Sequence, residues 1–136
     1  MTYLLDTNVV SELRRPQPDK GVQAWMESVA AEATYLSVLV LGEVRQGVER
    51  LRRRDPLQSS LLEEWLASLE EAFSDRVLVI DGAVAQAWGR LSGDDPLPPV
   101  DGLLAATALV HGLTVVTRDT EPFDRVGVPW LDPWAA

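Results

Sequence analysis

The stretch "VDGLLAATALVHGLTVVTRD", Val100 to Asp119, joins two unlike patterns. Val100–Gly112 reads as a helix that follows Pro98-Pro99 and stops at a glycine, the residue best suited to the left-handed helix end. Leu113–Asp119 is apolar and β-branched until it runs into Thr117, Arg118 and Asp119, as a buried strand does when it reaches a polar edge. A second such run, "RVLVID" (Arg76–Asp81), stands between helical segments. Two strongly β-branched runs fit badly in a helical bundle. They point to an α/β fold, an open and mostly parallel sheet flanked by helices on both faces.

Outward from that block, Tyr3–Leu5 is expected to be a short buried strand. Asp19–Val29 is expected to be a helix carrying Val22, Trp25, Met26 and Val29 at helical spacing. A short strand at Tyr35–Leu36 leads into a helix over Val38–Arg53, and Asp55-Pro56 breaks it before a second long amphipathic helix at Leu57–Phe73. Ala83–Leu91 is a helix after the turn signal Asp81-Gly82, Ser92–Pro99 is a loop, and Val126–Leu131 is a last short strand. No internal repeat or low-complexity segment interrupts this order.

The 136 residues are expected to form one domain, 1–136. No apolar run approaches the roughly 20 residues of a membrane helix, and the first residues do not pattern as a signal peptide. With no cysteine there is neither a disulfide framework nor a thiolate site. The expected location is cytoplasmic, without membrane association. The net charge of −9 should repel nucleic acid, whose binding rests on neutralising phosphates. That expectation reverses locally where carboxylates hold divalent cations.

Carboxylates recur where strands meet helices. Asp6 follows the first strand, Glu43 lies early in the helix after the second, Asp101 begins the helix before the fourth, and Asp119 closes the fourth. An α/β fold gathers such positions at one rim of its sheet. Converging carboxylates repel one another, and a hard cation such as Mg²⁺ resolves the conflict with a few carboxylates and several waters. Asn8 and Thr117 are placed to hydrogen-bond the ligands from behind. Taken singly, each acid has a plainer reading. Asp6 and Asp101 read as helix caps, Glu43 as a solvated helix residue, and Asp119 as the start of a turn.

With these residues in view, the chain resembles PIN-domain ribonucleases, in particular the VapC and FitB toxins of bacterial toxin–antitoxin pairs. The resemblance runs through "LLDTNVVSELRRPQP", "YLSVLVLGEVRQGV", "VDGLLAATALVHGLTVVTRD" and the closing "DPW". It implies a PIN-like fold and an endoribonuclease with Asp6, Glu43, Asp101 and Asp119 as catalytic acids. By the same resemblance Asp6, Asp101 and Asp119 hold Mg²⁺ or Mn²⁺, with Asn8 and Thr117 in support. It also implies a homodimer and a cognate DNA-binding antitoxin of the VapB or FitA type. Arg118 is a candidate substrate contact or the partner of a nearby acid.

Other features have structural readings first. Arg50, Arg52, Arg53 and Arg54 complement the dipole at a helix end, or else steer RNA. His111, at the far end of the helix begun by Asp101, reads as a helix-end residue. The five tryptophans are core by default, with Trp130 and Trp134 candidates for a subunit interface. Asp124 reads as a surface turn residue rather than a fifth acid. A receiver domain would need a lysine at a late strand end, but the one lysine is Lys20. A haloacid-dehalogenase-type phosphatase would need aspartate at position 8, which is Asn8. A non-catalytic acidic interaction module remains the alternative from another class.

Overall fold

A computed structural model describes residues 1–135. Among them, five short strands alternate with helices. The strands are β1 (Tyr3–Leu5), β2 (Thr34–Ser37), β3 (Val77–Leu78), β4 (Thr114–Val116) and β5 (Trp130–Leu131). The helices are α1 (Thr7–Arg14), α2 (Lys20–Ser28), α3 (Val38–Arg54), α4 (Pro56–Ala72), α5 (Gly82–Leu91), α6 (Pro99–His111) and α7 (Glu121–Arg125). The sheet order is β3-β2-β1-β4-β5 with every described pairing parallel. The chain therefore steps outward from β1 to β3, then returns to lay β4 on the other side of β1, with Leu5 opposite Val116. That reversal makes the carboxyl ends of β1 and β4 the switch point of the sheet, where open α/β folds bind their ligands.

Strand alternation divides the core in two. Leu4 and Val115 face a cluster that includes Leu104, Ala105, Ala108 and Phe123. Leu5, Leu36 and Val116 face the opposite cluster with Val9, Val10, Val22, Val40 and Leu69. Both faces are thus covered, which explains strands without polar alternation. Truncating a fully buried residue such as Phe123 would cost about 3–5 kcal/mol.

Aspartates and a serine start most helices. Asp6, Asp19, Ser37, Asp55 and Asp81 each accept a hydrogen bond from a first-turn N–H, the usual role of such side chains. Helix α6 differs. Pro98 occupies its cap position without a side-chain bond, so Asp101, in the first turn, is not a cap. Gly112 ends α6 at φ 66°, in the left-handed conformation expected of it.

The strands are shorter than their β-branched runs. In Arg76–Asp81 only Val77–Leu78 pairs, because this is the sheet edge and Val79 already faces solvent. Arg76 turns inward instead. Its guanidinium donates to the carbonyls of Ala31, Thr34 and Ala72 and lies 4.6 Å over the Phe73 ring. Strand β4 stops at Val116, so Asp119 does not close it but lies three residues beyond. Likewise Val126–Leu131 contributes only Trp130–Leu131. Asp124 belongs to the short helix α7, not a turn, and accepts a bond from Trp130 Nε1. Glu12 is a buried acid with a structural role. Its Oε2 accepts the Asp19 N–H at 2.9 Å, tying the α1–α2 connection down.

Candidate active site

Asp6 leaves β1 at the switch point and is 8% exposed. Its own N–H donates to the Val116 carbonyl, which continues the ladder one residue past the strand. Its carboxylate accepts from the Thr7 N–H on Oδ1 at 2.7 Å and from the Thr117 hydroxyl on Oδ2 at 2.9 Å. Thr117 follows β4 directly and is fully buried. Its Oγ1 also accepts from Asn8 Nδ2 at 3.2 Å and from the Asp119 N–H at 3.0 Å. One hydroxyl thus joins the end of β1, the start of α1 and the loop after β4. The expected supporting groups Asn8 and Thr117 meet here, although Asn8 reaches Asp6 only through Thr117.

The other acids arrive from separate elements. Glu43, in the second turn of α3, is half-buried and accepts the Thr7 hydroxyl on Oε1 at 2.5 Å. The plain reading as a solvated helix residue is therefore replaced by a bond to α1. Asp101 is half-buried in the first turn of α6. Gly102 beside it sets how close α6 comes to α5, because a Cβ there would stand 3.0 Å from Trp88 Cδ1 and Nε1. Asp119 is exposed on the loop after β4.

These four carboxylates share one field. Burial pushes Asp6 above its ordinary pKa; the Thr117 and Thr7 hydrogen bonds oppose that, while the Glu43 and Asp119 charges add to it. Burial also raises Asp101, and the charges of Asp6, Asp119 and Glu43 raise it further. Among the described residues, no ion pair offsets any of the four. Nor does any group of three or more Asp, Glu or His side chains among them form a ready-made cage for a metal ion. The arrangement is an open, mutually repelling set of oxygen donors. Mg²⁺ is suited to such a set, since it takes few carboxylates and keeps much of its water.

Glu43 separates two open cavities. One, about 240 Å³, is lined by Thr7, Ser11, Arg14, Val44 and Trp65 among others; the second, about 280 Å³, by Val38, Leu39, Gly42, Gln46 and Val100. Arg14 lies 5.9 Å from the Trp65 ring centre at the first. Arg118, next to Asp119, makes no ion pair among the described residues; its guanidinium stacks 5.2 Å from the Trp134 ring centre and stays exposed. Arg52 is tied up with Glu49, and Arg45 with Glu63, so part of the basic end of α3 is internally neutralised. His111 is exposed at the far end of α6, ten residues or about 15 Å along the helix from Asp101. Lys20 begins α2, and the residues after β4 are Thr117 and Arg118, which leaves a receiver-type phosphoryl site without its lysine.

Two residues of the site, Thr7 and Gly102, escape a reading of the sequence. Thr7 carries a signal in its position between an acid and an amide. Gly102 has none, since its need arises from α5.

The family model of the PIN domain matches residues 3–129. A protein of Sinorhizobium fredii named VapC ribonuclease Y4jK is 36% identical over 139 residues, covering 96% of each chain. The protein of Neisseria gonorrhoeae named toxin FitB is 37% identical over 139 residues, covering 96% of this chain and 97% of that one. A solved structure described as FitAB bound to an IR36 DNA fragment superposes with a TM-score of 0.88 at 37% identity, covering 98% of this chain and 96% of the other.

Proposed function

The chain belongs to the PIN-domain family, and on that premise we propose that it is an endoribonuclease toxin using Asp6, Glu43, Asp101 and Asp119 with Mg²⁺ or Mn²⁺. The observation that carries this reading is the unpaired acid cluster at the β1–β4 switch point, with Asp6 buried and two acids raised first by burial and then by neighbouring charges. An acid present only for structure would have an ion pair or a cap to justify its position, and Asp6 does also cap α1. Glu12 has such bonds; Asp101 has none.

Asp6, Asp101 and Asp119 would hold the ion, which when bound supplies positive charge to the phosphodiester oxygens and acidifies a water. The chain's own groups do the rest. Thr117 and the Thr7 N–H hold both oxygens of the Asp6 carboxylate in fixed directions. Glu43 takes up the proton of the attacking water, with one carboxylate oxygen anchored by Thr7. Arg118 touches a substrate phosphate beside Asp119, which offsets the repulsion between RNA and a chain of net charge −9.

As for partners, the similarity to the FitAB structure supports a cognate antitoxin with a DNA-binding part. Residues 1–136 act as one domain, and the protein as a homodimer in the cytoplasm. Among the described residues no helix is long and apolar enough to cross a membrane.

The test is Asp6→Asn. RNA cleavage dependent on Mg²⁺ should disappear while circular dichroism stays that of the wild type. Full cleavage by folded Asp6→Asn protein, free of contaminating nuclease, would remove Asp6 from the mechanism. Loss of cleavage in chelator and recovery with Mn²⁺ tests the ion separately.

A further inference from the structure

The structure assigns Thr7 a positioning role: its hydroxyl, donated to Glu43 Oε1, holds that carboxylate at the reacting position. Thr7 is the first residue of α1 and sits between the two acids that come from different elements. Its N–H goes to Asp6 and its hydroxyl goes to Glu43, 36 positions further along the chain. It is the one hydrogen-bond partner of the Glu43 carboxylate among the described residues.

The need for such a tether follows from charge and flexibility. Glu43 reaches its place on a side chain with three torsions, and its charge and those of Asp6 and Asp101 repel one another. The cavities on either side of it offer room to swing. Threonine's branched Cβ limits χ1 to few rotamers, and its hydroxyl hydrogen can turn to meet the Glu43 oxygen. One bond to Oε1 leaves Oε2 free to orient a water and take its proton. Small displacements of such a group are costly, about a hundredfold in rate for roughly 1 Å.

This role rests on the assignment of Glu43 to the mechanism, so Glu43→Gln is measured alongside. Thr7→Val keeps the shape and the N–H to Asp6 but loses the donor. It should lower kcat about 10- to 100-fold, with KM and Mn²⁺ affinity, measured by calorimetry, within about twofold of wild type. Thr7→Ser should recover most of the rate, and Thr7→Val should add nothing once Glu43→Gln is present. Wild-type kcat in Thr7→Val, with Glu43→Gln inactive, would overturn the Thr7 role and leave the site intact. Joint loss of kcat and Mn²⁺ binding in Thr7→Val, or no recovery with Ser, would overturn it too, by showing a merely structural threonine. Full activity in Glu43→Gln would instead remove Glu43, and Thr7 with it.

Discussion

Asp101→Asn should stabilise the metal-free protein while destroying its activity. Asp101 caps no helix end and makes no ion pair among the described residues, and every influence on its carboxylate raises its pKa: burial first, then Asp6, Asp119 and Glu43. A carboxyl whose pKa is higher folded than unfolded favours the folded state when protonated. Its ionised form therefore costs stability wherever the carboxyl is charged. Three like charges at a half-exposed site, each worth a few tenths of a kcal/mol after solvent screening, make the cost about 1 kcal/mol. For a chain of this size that is a rise in Tm of about 3–5 °C for the asparagine variant in chelator at pH 7. The gain should shrink in 1 M salt, where the screening length falls to about 3 Å. It should also fade as the pH drops through the raised pKa, since the wild-type group is then protonated as well. Saturating Mn²⁺ should invert the order, because an ion at a hundred times its Kd stabilises the form that binds it by about 2.7 kcal/mol. Thermal unfolding of both proteins, with chelator and with Mn²⁺, reads all of this directly. A wild type more stable than Asp101→Asn in chelator, or an order unchanged by Mn²⁺, would refute the reasoning.

Thr117→Val removes a fully buried hydroxyl with three partners, and should cost about 1–3 kcal/mol by urea unfolding. Because that hydroxyl opposes the rise in the Asp6 pKa, the acid limb of the pH–rate profile should also move to higher pH in this variant. Gly102→Ala should push α6 from Trp88, costing about 1–3 kcal/mol and lowering activity by displacing Asp101; stability and rate equal to wild type would show that the contact relaxes freely. Arg76→Met, far from the acids in sequence, should lower stability by about 2–3 kcal/mol through its lost carbonyl contacts while leaving cleavage by the folded protein unchanged.

The sequence by itself determined most of the elements, though not the helices α1 and α7, and it singled out four acids as candidates. Local patterns suffice for both: β-branched runs against helical spacing, Gly112 as a stop, and an acid following each key run are properties of neighbouring residues. The resemblance in "LLDTN" and in Val100–Asp119 added the family. Only the tertiary structure decided what depends on residues far apart in the chain. Whether Val79 and Ile80 pair is settled by their strand lying at the sheet edge, so a run as apolar as β4 yields just two paired residues. Whether Asp101 is a cap is settled by how Pro98 enters α6. Asp124 reads as a turn residue and Glu12 carries no local signal; a tryptophan from the next strand holds one, and the Asp19 N–H engages the other. Arg118 is open between a phosphate contact and a salt bridge until Trp134 is seen against its guanidinium. Thr7 and Glu43 are 36 residues apart, and no local pattern records a bond at that separation. It exists because β1 and β2 pair in parallel and bring the start of α1 and the second turn of α3 to the same edge of the sheet.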